Sequence, residues 1–378
     1  MLRIGVNALY LIPGGVGGTE IYLRHLLAAL GEIDRENRYT VFANRETGAD
    51  LPPRLPNFRV AVQPLRAAIR PARILWEQTA LPAAAGKLDV MLNPGFTAPL
   101  LSPCPNVTVF HDLQHKRHPE YFRWFDLPFW RMLLYGSAHR SKILLADSQA
   151  TRDDLLRFYR LDPSKVRVVP LGVAGRFFEI GRERCGRQPQ PYFLCASTLH
   201  PHKNLVPLIR AFAGFARRRP EFRLVITGVR GFHTRAVEET VADLGLKDTV
   251  RLTGWLPRED LYALFRDAFA FIYPSTFEGF GLPVVEAMAA GVPSACSSIE
   301  PLASLAGSAA LQFDPFSETA LLQALERLAS DDALRRRLAA AGPLRAADFS
   351  WTKTAEATLA ALRDAAGPAA SNAGPQTR

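Results

Sequence analysis

No stretch of this 378-residue chain is apolar over the roughly twenty residues that a bilayer-spanning helix needs. Its four cysteines, Cys104, Cys185, Cys195 and Cys296, are scattered without a Cys-x-x-Cys pair, so neither a disulfide framework nor a zinc site is indicated. Asp-x-Asp occurs nowhere, which removes one common way of holding a metal against a diphosphate. No short-period repeat is present, and no basic run interleaved with aromatics suggests a nucleic-acid partner. The opening stretch, Met1 to Tyr10, lacks the apolar core and small-residue cleavage site of a signal peptide. These absences together predict a soluble cytoplasmic protein, attached to a membrane at most by its surface.

What is present is an ordinary globular composition, 48% hydrophobic and 22% charged, in a chain long enough for two domains. The net charge of +10 invites anionic partners. Between Arg54 and Lys142 twelve Lys and Arg face five Asp and Glu, so the excess is concentrated there. A helix expected over residues 66–85 carries Arg66, Arg70 and Arg73 beside apolar residues, with Lys116, Arg117, Arg123 and Arg131 following. This is either a solvated surface or a contact for a lipid phosphate or an acidic bilayer.

The chain is organised around Tyr273-Pro-Ser-Thr-Phe-Glu-Gly-Phe-Gly-Leu-Pro-Val-Val-Glu-Ala-Met-Ala-Ala-Gly291. A short apolar run before it reads as a buried strand, Pro283 suits the start of a helix, and Gly291 its end. A glycine loop between strand and helix lets backbone approach a ligand, and the N–H groups of Phe280, Gly281 and Leu282 lie at the positive end of the helix. Glu286 leans back over that loop and Glu278 faces it. Two carboxylates beside an anion site fit a ligand that offers hydroxyls as well as phosphates, as a sugar nucleotide does. Either glutamate alone could be a loop residue or the complement of a helix dipole.

The frame Phe-Glu-Gly-Phe-Gly-Leu-Pro-x-x-Glu, with Glu278 and Glu286 separated by seven residues, resembles the signature of retaining glycosyltransferases of family 4. That resemblance implies a GT-B fold: two Rossmann-like domains facing each other across a donor-binding cleft. It further implies that Glu286 holds the donor's ribose hydroxyls and Glu278 lies by the donor sugar.

Other motifs arrive in the family's order. The first strand is followed by Pro13-Gly-Gly-Val-Gly-Gly-Thr-Glu20, whose Gly14, Gly15, Gly17 and Gly18 do not fit a dinucleotide fingerprint but resemble the family's glycine loop at the cleft. His111 closes the strand Asn106–Phe110 and opens a His-Asp loop, whose histidine the resemblance sets against the donor sugar. His115 and His118 lack further ligands at suitable spacing for a metal. After the strand at residues 191–196 come Ser197, Thr198 and Lys203, the last just ahead of a helix start where a cation meets a gathered anion. By resemblance Lys203 binds the distal phosphate and Thr198 lies by the donor. Many members carry an arginine a few residues earlier; here Ser197 and Thr198 stand in its place. Gly254, Trp255 and Leu256 stand where the family contacts the base, largely through backbone.

The expected organisation is an N-terminal acceptor domain over residues 1–173 and a linker over 174–190. A nucleotide-sugar domain over 191–348, a helix over 349–366 crossing back, and a disordered tail over 367–378 complete it. The activity implied is transfer of a hexosyl group with retained configuration and without metal or cofactor, to a lipid-linked saccharide acceptor, in polysaccharide or lipopolysaccharide synthesis. Trp76-Glu-Gln78 and His111-Asp-Leu113 resemble bacterial mannosyltransferases and favour a GDP-mannose or deoxyhexose donor. A UDP- or ADP-glucose enzyme is the rival within the fold. A non-catalytic binder of nucleotide sugars or polyanions is the rival from another class.

Overall fold

The computed structural model describes residues 1–15, 17–51 and 53–367. The tail expected to be disordered lies outside them from residue 368 onward. The chain divides into two units, one built from Met1–Gly172 with the segment from Trp351 onward, the other from Val173–Ser350.

The first unit holds seven strands: β1 (Arg3–Asn7), β2 (Arg38–Ala43), β3 (Phe58–Val62), β4 (Val90–Asn93), β5 (Asn106–Phe110), β6 (Ile143–Ala146) and β7 (Val166–Val168). All pair parallel, in the order β3-β2-β1-β4-β5-β6-β7. Every residue of β4, β5 and β6 is buried, as expected where crossover helices cover both faces of a parallel sheet. The order reverses between β1 and β4, and ligands of such sheets bind outside the carboxyl ends of strands at that reversal.

The second unit repeats the plan with β8 (Gln190–Ala196), β9 (Arg223–Thr227), β10 (Val250–Gly254), β11 (Ala268–Tyr273), β12 (Ser294–Ser297) and β13 (Leu311–Phe313). Their order is β10-β9-β8-β11-β12-β13, again all parallel, so the reversal falls between β8 and β11. Lys203 follows β8 and Glu278 follows β11.

The last helix, Trp351–Ala366, packs on the helix Gly18–Ile33 and against β4 and β5 of the first unit. Its buried face includes Ala355, Leu359 and Leu362, and each leucine contributes roughly 1.5–3 kcal/mol by leaving water. Gly172 makes the close approach possible: a Cβ there would stand 2.1 Å from the backbone nitrogen of Trp351. Thr354 Oγ1 donates to the Pro170 carbonyl at 2.7 Å, tying the helix to the end of the first unit.

The stretch at residues 174–190, expected as a linker, carries a helix, Gly175–Glu183. Phe177 is buried, its ring edge-on to Tyr262 and Phe265 at centroid distances of 5.3 and 5.2 Å. Arg184 then donates to the carbonyls of Phe265, Arg266 and Ala268, which occupies C-terminal carbonyls of the helix Arg258–Asp267. Only Phe177 and Ile180 carry the buried face, too few residues to show a period.

Candidate functional site

In the second unit the loop after β11 is fastened to the turn after β8 at one carbonyl. The oxygen of His202 accepts from Thr276 N at 2.7 Å, Ser275 Oγ at 3.1 Å and Thr276 Oγ1 at 3.2 Å. Asn204 follows in the left-handed region at φ 57°, a conformation asparagine tolerates better than most residues, and turns the chain into the helix Leu205–Ala216. This places Lys203 Nζ 2.5 Å from Glu278 Oε1 and 3.0 Å from the Tyr273 hydroxyl. Both charged side chains are largely shielded, 13% and 11% exposed. Burial works to raise the Glu278 carboxyl, but the Lys203 ammonium, then His202, outweigh it and hold it below its ordinary value. An ammonium has three donors, so after Tyr273 and Glu278 one N–H of Lys203 remains for a ligand.

The chain turns into the next helix, Leu282–Ala289, at Gly281, whose φ is 110° and where a Cβ would stand 2.2 Å from Leu302 Cδ2. Only glycine fits that corner. Phe280 anchors it from the other side, buried and edge-on to Phe349 at 5.6 Å, and Leu282 is buried as well. No side chain caps this helix, so its first N–H groups are left to a ligand or water. Glu286 lies one turn in, half-buried, its carbonyl accepting from Ala290 N at 3.0 Å while its carboxylate makes no hydrogen bond among the described residues. Burial pushes its carboxyl up to about 8, against a smaller pull from Arg258. Tyr273 lies within the electrostatic influence of both Glu278 and Glu286, so the three belong to one cluster.

The strand ends beside it supply the remaining backbone. Thr198 follows β8, and its carbonyl accepts from Ser197 Oγ at 3.1 Å. Gly254 ends β10 at φ 71°, its carbonyl accepting from Gly228 N at 3.0 Å. Trp255 is exposed and Leu256 half-buried just beyond it. Among the described residues no group of three or more His, Cys, Asp or Glu side chains is arranged to hold a metal ion.

The first unit holds the other expected residues. Gly14 and Gly17 adopt φ of 71° and 58°, and Gly18 opens the helix Gly18–Ile33. Glu20 fastens this loop, accepting from Gly14 N at 2.8 Å and from Arg24 Nε at 2.8 Å, while Gly15 N donates to the Ile12 carbonyl at 2.9 Å. His111 is committed on both nitrogens: Nδ1 lies 2.7 Å from Asp147 Oδ2 and Nε2 2.9 Å from the Pro94 carbonyl. Both partners are acceptors, so the geometry suits a ring with two N–H groups. Burial opposes that charge, but Asp147 and the Pro94 carbonyl outweigh it and raise the His111 pKa. Tyr22 and Phe96 meet the ring edge-on at 4.9 and 5.1 Å. Asp147, Tyr273 and Glu20 were not among the residues expected from sequence.

The expected row of cations divides. The helix starts at Arg70 and not near Arg66, and Arg73 turns inward toward Glu77, its Nε without a hydrogen-bond partner among the described residues. Arg117 pairs with Asp154, Lys116 lies 5.4 Å from the Tyr159 ring, and Arg131 donates to the His115 carbonyl at 3.4 Å. Arg66, Arg70 and Arg123 remain exposed. Glu77, in the Trp76-Glu-Gln78 segment, is buried and accepts from Asn7, Thr97 and Gln78.

Comparison with known proteins agrees with this division. A model described as Glycosyltransferase Family 4 matches residues 16–174, and one described as Glycosyl transferases group 1 matches residues 180–345. The O-antigen chain mannosyltransferase B of Escherichia coli is 29% identical over 265 residues, 68% of this chain and 70% of that protein. The MMP alpha-(1->4)-mannosyltransferase of Mycolicibacterium hassiacum is 32% identical over 271 residues, 68% of this chain and 64% of that protein. Among solved structures, sucrose-phosphate synthase from Thermosynechococcus elongatus aligns with a TM-score of 0.78 at 20% identity, covering 96% of this chain and 99% of that one. WaaG, a glycosyltransferase involved in lipopolysaccharide biosynthesis, aligns at 0.73 and 17% identity, covering 95% and 99%. With a family 4 domain followed by a group 1 domain on two doubly wound sheets, the chain belongs to the GT-B glycosyltransferases and resembles bacterial mannosyltransferases.

Proposed function

We propose that this chain transfers a hexosyl group, best read as mannosyl from GDP-mannose, to a saccharide acceptor on a lipid carrier, with retention of the anomeric configuration. The observation that carries the reading is the cluster of Lys203, Glu278 and Glu286 at the uncapped start of the helix Leu282–Ala289. In this reading Glu286 accepts hydrogen bonds from the ribose hydroxyls, and the N–H groups of Phe280, Gly281 and Leu282 receive the diphosphate. Gly254, Trp255 and Leu256 border the base, and Thr198 lies beside the phosphates. Lys203 turns its remaining N–H to the distal phosphate and stabilises the charge that grows there as the bond to the anomeric carbon breaks. The acceptor oxygen bonds to the same face of that carbon, and its proton leaves with the diphosphate. Glu278 holds the donor sugar. His111, read as a catalytic residue, and the loop of Gly14, Gly15, Gly17 and Gly18 serve the acceptor-bearing unit.

The sugar assignment rests on similarity to mannosyltransferases acting on O-antigen chains. Metal independence rests on the absence of Asp-x-Asp and on a cation and a helix end placed to do that work. The lipid carrier and a peripheral contact with an anionic cytoplasmic leaflet rest on the exposed Arg66, Arg70 and Arg123; no helix among the described residues is long and apolar enough to cross a membrane. The test is release and transfer of labelled sugar from GDP-mannose, UDP-glucose and ADP-glucose, with and without EDTA. Turnover of GDP-mannose that survives chelation supports the reading. Preference for UDP-glucose overturns the sugar, dependence on added magnesium or manganese overturns metal independence, and binding without any turnover overturns catalysis.

A further inference from the structure

The first unit contains a cavity of about 590 Å³ between the helix Arg70–Ala85 and the segment 123–129. It lies within the 300–1,000 Å³ range typical of small-molecule sites. Ile74, Leu75, Phe125 and Phe129 give it an apolar wall. Gln78 also lines it but presents little polarity, because its amide is already committed to Glu77, the Ala98 carbonyl and Leu100 N. The apolar character continues outside: Leu75, Trp124, Phe125 and Phe129 are all at least half exposed, at 66%, 84%, 56% and 50%. Such a contiguous exposed patch marks an interaction site.

Two guanidiniums stand on the same lining. Arg70 is held over the Trp130 ring at 4.4 Å and Arg123 near the Phe125 ring at 6.0 Å, and among the described residues neither pairs with a carboxylate. Lying over aromatic rings leaves their N–H groups to meet an anion, and guanidinium suits phosphate in particular. Asp126 is the single carboxylate on the lining, so the three charges leave a net +1. An apolar wall under a cationic rim calls for an amphiphile with an anionic head. A cavity of about 590 Å³ suits one hydrocarbon chain.

We infer that this cavity seats the hydrocarbon chain of an isoprenyl phosphate or diphosphate, with Arg70 and Arg123 on its phosphate. The inference rests on the lipid-carried acceptor proposed above and gives that carrier a place in the first unit. The test measures equilibrium binding of labelled farnesyl phosphate, below its micellar concentration, to the full chain. One saturable site is expected, weakened at least about tenfold by Arg70→Glu with Arg123→Glu, as for loss of a charge-assisted contact. Phe129→Glu, at an exposed position, should weaken it similarly. Inorganic phosphate at equal concentration should not compete. Absence of saturable binding, or binding indifferent to these substitutions, overturns the inference. So does attachment to phosphatidylglycerol vesicles that depends on these residues while farnesyl phosphate does not bind, since the face would then dock on a bilayer. Transfer to a prenyl-linked saccharide that persists undiminished in the variants would defeat the cavity while sparing the acceptor; transfer to soluble saccharides alone would defeat the acceptor reading itself.

Discussion

Lys203 Nζ lies 2.5 Å from Glu278 Oε1, joining the loops that follow β8 and β11. These are the neighbouring strands at which the order of the second sheet reverses. The pair therefore occupies the crevice where open parallel sheets bind ligands. Shielding makes the pair costly to break from one side, because a lone buried charge is left behind.

Replacing Lys203 with alanine should lower kcat strongly and alter KM less, since neutralising a leaving diphosphate matters most in the transition state. The ammonium is also what keeps the Glu278 carboxyl low, so without it burial dominates and the carboxyl rises. The acid limb of the pH–rate profile should move to higher pH. An effect confined to KM with an unmoved acid limb would make Lys203 a binding residue only.

Above about pH 8, where Glu286 is ionised, Glu286→Gln should weaken donor binding about tenfold or more, the loss of a bond to a charged group being about 1.5–3 kcal/mol. Stability should move the other way. Between the ordinary 4.5 and about 8 the folded chain keeps a proton on Glu286 that the unfolded chain gives up, so stability falls as pH rises through that window. Glutamine removes this loss, and the Tm advantage of the variant should grow from pH 5 to pH 8. A pH-independent difference in Tm would contradict the assignment.

Asp147→Asn should destabilise the first unit by about 1–3 kcal/mol, in a pH-dependent way. His111 has its pKa raised above the ordinary 6.5, so its pairing contributes fully below that value and is lost as pH rises through the raised pKa. Denaturation at a series of pH values from 6 to 9 should show wild type and variant converging as pH rises. A constant gap would mean that Asp147 acts by packing alone.

Gly281→Ala should cost about 1–3 kcal/mol of stability for the φ of 110°, with further loss from the contact with Leu302. Donor affinity should fall with it, because the same corner aims the helix N–H groups. Urea denaturation together with a donor titration checks both.

The strand, loop and helix around Glu278 were legible because punctuation stands at both ends: an apolar run closing at Tyr273 and glycines at 279, 281 and 291. The positions of Lys203 and Glu286 relative to helix starts were legible for the same reason. Contacts that depend on which strands lie side by side were not. His111 meets Asp147 because β5 and β6 pair with Phe110 opposite Ala146, so the next residue of each strand emerges alongside the other. Nothing local to either residue announces that register.

Short or weakly patterned elements were lost as well. β12 and β13, four and three residues long, lack a run that stands out from its surroundings. The helix Thr234–Asp243 buries only Thr234, Val237 and Val241. The cationic row failed in a more instructive way. Arg66, Arg70 and Arg73 look equivalent by spacing, yet the helix begins at Arg70, and Arg73, four residues before Glu77, is drawn toward that buried carboxylate.

The most direct measurement is calorimetric titration of GDP-mannose, above about pH 8 where Glu286 is ionised, into the wild-type chain and into the Glu286→Gln and Lys203→Ala variants, followed by assay of sugar release in the same samples. The account predicts one donor site in the wild type, weakened about tenfold or more by Glu286→Gln, and sugar release lost with Lys203→Ala while donor still binds. Equal donor affinity in wild type and Glu286→Gln, or undiminished release by Lys203→Ala, would contradict it.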